Sequence, residues 1–420
     1  MFKSNQKNIE CLSTHIRTGA FLSVLVLFLA LISCKSKGIE PAGTGYHEES
    51  GMAKISEQTA YESEEITEGF SGAETETEIE PAPEPEILPA SEAEKLLLSM
   101  SAEEKIAQMF LVRCPVSGAE ETALRYRFGG YILFAVNFDG ETPESIKSKI
   151  EKIQSASKIP MLIGVDEEGG TVTRVSRFPA FRDEPFKSPR TLFAAGGYQL
   201  IKSDTEEKAK LLLSLGINLN LAPVCDLSQN QSDFIYYRSF GGDAELAAEY
   251  VRDVVGVMSE YKLGSSLKHF PGYGANADTH TGIVRDGREY SAFEAYDFLP
   301  FIAGIEAGAG SVMVSHNIME CVDPDRPASI SQAVHDILRN NLNFDGVIIT
   351  DDLAMSGVAD FTDGENAAVS AVLAGNDMLC CSDYETQYAA VLSAYNNGII
   401  TADRIDSSVR RILTWKLALS

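Results

Sequence analysis

Residues 344–355 read FDGVIITDDLAM, a short apolar run that ends in two adjacent carboxylates, Asp351 and Asp352. Continuous rather than alternating hydrophobicity is typical of a parallel β-strand covered on both faces. Seven more such runs occur, separated by amphipathic stretches typical of helices. The eight runs lie at residues 108–112, 131–134, 161–166, 218–224, 265–270, 311–316, 346–351 and 377–382. Their alternation with helical stretches predicts an α/β fold, a single (β/α)8 TIM-type barrel, with a doubly wound open sheet as the structural alternative.

Polar side chains gather at the carboxyl ends of these runs. They are Asp166, Asp226, Lys268, His269, His316 and Asp351. A single carboxylate after a strand is often a helix N-cap, and a single histidine is often a satisfied core residue. Six such residues at the same end of the strands instead predict a site on the barrel face where active sites lie.

Residues 265–282, SSLKHFPGYGANADTHTG, form a Gly-rich stretch that places Asp278 two residues before His280. A carboxylate bonded to one imidazole nitrogen leaves the other nitrogen able to transfer a proton near neutral pH. An Asx-turn beside an exposed histidine is the alternative interpretation. With Asp351 or Asp352 as nucleophile, the pattern indicates retaining glycoside hydrolysis in which a His-Asp dyad replaces one carboxylate of the usual pair.

The motifs MSAEEKIAQMFLV, GVDEEGGTVTRV, LAPVCDL, YRSFGGD, KHFPGYG…DTH and FDGVIITDDLAM occur in this order. They resemble the β-N-acetylglucosaminidases of glycoside hydrolase family 3 over nearly all of residues 95–420. The resemblance implies that Asp351 is the nucleophile, that His280 is the acid/base and that Asp278 supports it. It also implies removal of terminal N-acetylglucosamine from cell-wall muropeptides or chitin-type oligosaccharides through a covalent glycosyl-aspartate.

Five more residues receive sugar-binding roles from the same resemblance: Asp166, Arg174, Arg238, Lys268 and His269. For the two arginines, a salt bridge between barrel loops is the competing interpretation. Tyr273 stands where many family members have histidine, and the segment from His269 to Asp278 is one residue shorter than in many of them. These departures concern the reach of the loop and the reducing-side subsite.

Three other functions stay open at this point. A β-glucosidase or β-xylosidase of the same family is disfavoured by the histidine of DTH. A phosphorylase is compatible with the sequence, because a neutral imidazole repels incoming phosphate less than a carboxylate does. An inactive, lipid-anchored sugar-binding protein is disfavoured because Asp351 and the Asp278–His280 dyad are both present.

The first 33 residues have a basic start and the apolar run AFLSVLVLFLALIS, which predicts an export signal. Leu31-Ile-Ser-Cys34 resembles a bacterial lipobox and predicts lipidation of Cys34, with an ordinary secretion signal as the alternative. Residues 34–92 predict a disordered Glu/Pro-rich linker, with a docking tail for a basic partner as the alternative. The catalytic domain is expected at 93–420, in an exported lipoprotein on the outer face of a bacterial cytoplasmic membrane.

Composition excludes some partners. The formal net charge is −26 and no basic face points to nucleic acid. The 7 cysteines form no spaced framework, and Cys380 and Cys381 sit in an apolar run as small hydrophobes do. Without Cys-x-x-Cys or His-x-x-x-His spacing, neither a metal nor another cofactor is predicted. No obligate protein partner is evident, so the expected partners are a carbohydrate substrate and, through Cys34, a membrane.

Overall fold

The computed structural model describes residues 91–274, 282, 284–355, 358, 361 and 366–420. The predicted export signal, Cys34 and the linker up to residue 90 lie outside the described residues, and so do Asp278 and His280. The first described helix follows Ser91, whose side chain accepts a hydrogen bond from the Glu94 amide. Among the described residues, no helix is long and apolar enough to cross a bilayer.

Eight parallel strands form the barrel and two short strands pair beside it. The strands are β1 (Phe110–Arg113), β2 (Gly130–Leu133), β3 (Leu162–Val165), β4 (Leu219–Asn220), β5 (Gly264–Phe270), β6 (Arg285–Asp286), β7 (Ser311–Val314), β8 (Ile318–Met319), β9 (Val347–Thr350) and β10 (Leu379–Cys381). The barrel order is β10-β1-β2-β3-β4-β5-β7-β9. A parallel bridge between Ile349 and Met378 joins β9 to β10. The predicted barrel is confirmed, each predicted run overlaps one barrel strand, and the closed order excludes a doubly wound sheet.

The barrel strands are buried on both faces, as their continuous hydrophobicity predicts. Every residue of β2, β3, β7 and β9 is buried. The seven residues of β5 are buried as well, including Lys268 and His269. Arg113, the last residue of β1, is the exposed exception among the barrel strands.

The helices surround the barrel. They are α1 (Glu92–Leu98), α2 (Ala102–Gln108), α3 (Ala119–Tyr126), α4 (Pro143–Ser155), α5 (Pro189–Ser214), α6 (Ala244–Glu260), α7 (Tyr290–Ala292), α8 (Phe298–Glu306), α9 (Gln332–Asp336), α10 (Ala367–Ala374), α11 (Tyr384–Asn396) and α12 (Ala402–Ala418). Local sequence explains their ends. Helix α4 begins with a capping box between Thr142 and Ser145, and proline occupies its first position. Helix α5 is kinked at Gly196 and Gly197, where φ reaches 61° at the second glycine.

The amino-terminal end of the barrel holds two buried polar clusters. Asp377, directly before β10, accepts hydrogen bonds from Ser408 Oγ at 2.7 Å and Arg411 Nη1 at 3.3 Å, and also pairs with Arg339. Lys416 of α12 donates from Nζ to Gln108 Oε1 at 2.6 Å, and burial lowers the pKa of Lys416 to about 7. These clusters tie the last helix and the last strand to the base of the barrel.

Candidate active site

A cavity of about 300 Å³ opens at the carboxyl ends of the barrel strands. Its wall has apolar, aromatic and charged parts: Arg113, Ile132, Phe134, Asp166, Glu168, Val172, Arg174, Leu221, Arg238, Lys268, His269, Met313, Asp351, Asp352, Met355 and Cys380. The cavity therefore brings together Asp351 and the five residues expected to bind the sugar, whereas the strand-end residues Asp226 and His316 do not line it.

Lys268 is the central cation of this site. Its Nζ lies 2.7 Å from Asp166 Oδ1 and 2.6 Å from Glu168 Oε1, and its side chain is 2% exposed. Burial alone would lower the pKa of Lys268, but the charges of Asp166 and Glu168 outweigh burial and raise it. Lys268 is thus a permanently charged donor between two carboxylates.

Arg238 reaches the same cluster from the loop between β4 and α6. Its Nε and Nη2 donate to Glu168 Oε2 at 2.9 Å and Oε1 at 2.8 Å, a bidentate pair. Burial alone would raise the pKa of Glu168, but Arg238 and Lys268 hold it well below its usual range. Arg238 therefore forms the salt bridge of the competing interpretation, and it also lines the cavity.

His269 is held by protein groups on both ring nitrogens. Arg238 Nη2 lies 3.1 Å from Nε2, and an arginine can only donate, so Nε2 accepts and Nδ1 carries the proton. Nδ1 then donates to Asp226 Oδ2 at 2.7 Å. Asp226 also accepts from the backbone amides of His269 and Tyr273. Asp226 does not line the cavity, and its contacts orient the imidazole from behind.

Arg174 lines the cavity beside Asp166. Its Nη2 lies 3.8 Å from Asp166 Oδ2, and its guanidinium carbon lies 5.7 Å from the centre of the Phe134 ring. The Nε of Arg174 is buried and has no hydrogen-bond acceptor among the described residues. Arg174 therefore keeps donor capacity beyond its loose ion pair.

Asp351 and Asp352 follow β9 and differ in their surroundings. The Asp351 amide donates to the Val314 carbonyl at 2.9 Å, and Asp351 Oδ1 accepts from the Asp352 amide at 2.8 Å. The Asp352 carboxylate accepts from the amides of Ala354 and Ser382 and from the Ser382 hydroxyl. Both oxygens of Asp352 are thus used to attach this turn to the end of β10.

The strand-end residue His316 also acts on this turn. Its Nε2 lies 3.1 Å from the Asp352 carbonyl oxygen, and its Nδ1 lies 2.7 Å from Ser329 Oγ. A carbonyl oxygen only accepts, so Nε2 carries the proton and Nδ1 accepts from the Ser329 hydroxyl. His316 does not line the cavity, and it supports the peptide between Asp352 and Leu353.

The cavity contains further residues that the sequence analysis did not single out. Glu168 forms ion pairs with both Lys268 and Arg238. The sequence feature that could have indicated it is its position in the DEEGG motif, two residues after Asp166. Arg113 ends β1 and stacks on Phe134, which follows β2, with 4.4 Å from the guanidinium carbon to the ring centre. Arg113 and Phe134 thus lie at the carboxyl ends of the first two barrel strands, where the other site residues lie on their own strands.

A closed parallel barrel with a charged cavity at the carboxyl ends of its strands defines a TIM-barrel enzyme. The model of the glycosyl hydrolase family 3 N-terminal domain matches residues 101–415, and the chain belongs to that family. It is therefore a glycoside hydrolase.

Similar proteins include a beta-hexosaminidase of Nitrosomonas eutropha, 34% identical over 265 residues, which cover 61% of this chain and 74% of that protein. A beta-hexosaminidase of Xanthomonas oryzae is 32% identical over 297 residues, 68% of this chain and 86% of that protein. Among solved structures, a family 3 beta-N-acetylglucosaminidase from Paenibacillus matches with a TM-score of 0.71 and 29% identity. That match covers 76% of this chain and 63% of the Paenibacillus chain.

Proposed function

We propose that this protein is a β-N-acetylhexosaminidase that removes terminal, non-reducing N-acetylglucosamine with retention of configuration. The observation that carries the proposal is that Asp351 lines the same cavity as the Asp166–Lys268–Glu168 cluster. A carboxylate beside fixed donors and acceptors for hydroxyl groups suits a sugar ring. The similar beta-hexosaminidases support a hexosamine substrate, and the similar Paenibacillus beta-N-acetylglucosaminidase supports N-acetylglucosamine as that sugar.

In the proposed reaction, the Asp351 carboxylate attacks the anomeric carbon while His280 gives its proton to the departing oxygen. The bond to the aglycone breaks and a glycosyl ester on Asp351 forms. Water then attacks the anomeric carbon, His280 takes a proton from this water, and the ester bond breaks. Asp278 holds the imidazole and stabilises its charged form. Asp352 is a poorer nucleophile because the turn after β9 uses both of its oxygens.

The charged cluster would hold the sugar. Asp166 has oxygens that accept from hydroxyl groups, and Lys268 and Arg174 are donors to hydroxyl or acetamido oxygens. Arg238 and His269 complete the wall: Arg238 donates to Glu168, and His269 accepts a hydrogen bond from Arg238. No metal ion or other cofactor takes part in the proposed reaction.

Arg113 supports an anionic aglycone. Its guanidinium lines the cavity and stacks on Phe134, and it has no ion pair in the part of the chain that the structure describes. An unpaired guanidinium at a binding site favours a carboxylate ligand. Cell-wall fragments, whose muramic acid carries a lactyl group, fit this better than uncharged chitin-type oligosaccharides.

Release of nitrophenol from nitrophenyl β-N-acetylglucosaminide tests the proposal, with the β-glucoside and β-xyloside for comparison. Preference for either comparison sugar would make the protein a glucosidase or xylosidase, and no turnover of any of them would favour an inactive binding protein. Added phosphate should leave the product as free sugar. A sugar 1-phosphate product would instead identify a phosphorylase.

We also propose that the mature chain begins at a lipidated Cys34, with residues 34–90 as a disordered tether on the outer face of the cytoplasmic membrane. The predicted linker ended at residue 92, but Ser91 caps α1 and Glu92 is its first residue. The lipobox-like LISC and the acidic, Pro-rich stretch that follows support this proposal. Cys34→Ala should release the enzyme from membranes and abolish incorporation of radiolabelled lipid. Equal membrane binding of the wild type and the variant would contradict it.

A further inference from the structure

We propose that Arg288 is a positioning residue for the acid/base, because its side chain joins the two ends of the segment that carries Asp278 and His280. The inference rests on the proposed function, in which His280 transfers the proton. In the sequence, that segment lies between residues 271–274, called the first stem below, and residues 284–288, called the second stem. Both stems belong to the part of the chain that the structure describes.

Two buried carboxylates hold the Arg288 guanidinium. Its Nε and Nη2 donate to Asp286 Oδ1 at 2.9 Å and Oδ2 at 2.7 Å, a bidentate pair, and its Nη1 donates to Asp297 Oδ2 at 2.7 Å. The side chains of Asp286 and Asp297 are 3% and 1% exposed, so salt and water screen these bonds little. Asp297 directly precedes α8 and thus connects the guanidinium of the second stem to a helix of the barrel.

The first stem lies directly against this charged cluster. A Cβ atom at Gly274 would lie 2.8 Å from Arg288 Nη2, and one at Gly272 would lie 2.6 Å from Asp297 Oδ1. The φ angles of Gly274 and Gly272 are 57° and 119°, in the region that favours glycine. The two glycines of Pro-Gly-Tyr-Gly therefore allow the backbone of the first stem to contact the guanidinium and the carboxylate closely.

The first stem also contacts the residues behind the sugar-binding cluster. The amide of Tyr273 donates to Asp226 Oδ1 at 2.8 Å, and the Tyr273 ring meets the His269 ring edge-on, with 5.2 Å between the ring centres. The first stem is thus packed between the support of His269 on one side and the Arg288 cluster on the other. A change at Arg288 therefore acts on backbone that is already fixed to the active site.

The second stem is fixed by backbone pairing with β8. The Ile318 amide donates to the Val284 carbonyl at 2.8 Å, and the Glu320 amide donates to the Asp286 carbonyl at 3.0 Å. Each stem therefore has its own attachment to the barrel, and Arg288 sets their separation. A proton donor works only within about 2.6–3.2 Å of the oxygen that it protonates, so this separation affects proton transfer by any residue between the stems.

The test compares two substrates with different leaving groups. Dinitrophenyl β-N-acetylglucosaminide needs little protonation of its leaving group, whereas N-acetylglucosaminyl-β-1,4-N-acetylmuramic acid needs it. Arg288→Met should lower kcat/KM on the disaccharide by about 10- to 100-fold and on the aryl glycoside much less, because displacing a reacting group by about 1 Å costs about 10²-fold. Arg288→Lys keeps the charge but not the bidentate geometry, so its loss should be intermediate.

The same substitution in the His280→Ala variant separates positioning from general damage. If Arg288 acts through His280, Arg288→Met should change kcat/KM on the disaccharide by less than about twofold once the imidazole is absent. Arg285→Met is the matched control, because Arg285 lies on β6 and forms an exposed pair with Glu320 at 3.3 Å. Its kcat/KM on both substrates should equal that of the wild type.

Circular dichroism checks that each variant is folded. If Arg288→Met does not fold, Asp297→Asn, which removes the charge of one partner of the guanidinium, takes its place with the same expected results. Equal losses on both substrates, no loss on the disaccharide, or the same loss with and without His280 would overturn the positioning role alone. Failure of the wild type to release nitrophenol from nitrophenyl β-N-acetylglucosaminide would overturn the proposed function and the positioning role with it.

Discussion

Replacing Arg238 by methionine should destabilise the protein strongly, because it breaks a buried ion pair on one side only. Arg238 is 14% exposed in its side chain and Glu168 is 3% exposed, and two hydrogen bonds at 2.8 and 2.9 Å join them. Without Arg238, Glu168 keeps only its ion pair with Lys268 among the described residues, and Lys268 is shared with Asp166. Removal of one partner from a buried pair costs about 3–5 kcal/mol. At about 2–3 °C per kcal/mol for a large domain, Tm should fall by about 6–15 °C.

Urea unfolding monitored by circular dichroism measures this cost. Arg252→Met is the matched control, because Arg252 and Glu306 form an exposed pair at 3.4 Å whose loss should cost at most about 1 kcal/mol. The difference in the free energy of unfolding between Arg238→Met and the wild type should become smaller as pH falls below about 4. The folded pKa of Glu168 is depressed, so the stability it contributes is present above the unfolded pKa of about 4.3 and is lost in acid. A loss below about 1 kcal/mol at pH 7 would refute the reasoning.

Five further variants test the mechanism and the barrel base. Asp351→Asn should lower kcat by more than about 10⁴-fold, and a fluorinated sugar should label Asp351 in Asp352→Asn as in the wild type; label on Asp352 would overturn the assignment. His280→Ala should slow cleavage of unactivated oligosaccharides by about 10²- to 10⁴-fold and that of activated aryl glycosides much less, as steady-state kinetics would show. Asp377→Asn should cost about 3–5 kcal/mol in urea, because it leaves the buried Arg339 without its anion. Lys416→Met should raise the free energy of unfolding, and the increase should be largest below pH 7 and disappear towards pH 10. Burial lowers the pKa of Lys416 to about 7 in the folded protein, so this lysine opposes folding until the unfolded chain has also lost the proton.

The barrel could be predicted because its strands are local signals. Each apolar run is continuous since both faces of a parallel strand are covered, so the pattern is readable without any knowledge of neighbours. The run at 218–224 is the least typical, because only Leu219–Asn220 pairs as a strand there. The rest of that run pairs with β5 only through single backbone hydrogen bonds and an isolated parallel bridge between Val224 and Lys268.

The strand-end rule found the residues of the site better than it found their partners. It placed Lys268 and Asp166 at the same end of the barrel, and they are in contact. It did not reveal that Glu168 holds Arg238, because that pair joins residues 70 positions apart. It also did not separate Asp226, which supports His269 from behind, from residues that line the cavity. Such distinctions depend on side-chain direction, which a one-dimensional pattern does not contain.

Two of the site carboxylates, Asp166 and Asp351, are each followed by an acid that binds backbone amides. Asp166 lines the cavity, while Glu167, the next residue, accepts from the amides of Arg174 and Val175 at 2.8 and 2.7 Å. In the same way, Asp351 lines the cavity and Asp352, the next residue, accepts from the amide of Ser382. A single inserted or deleted residue at either place would exchange the two positions. The acid that binds backbone amides would then face the cavity, and the acid that faces the sugar would point into the surrounding protein. Length variation among relatives should therefore be tolerated in the surface loops but not within these two short motifs.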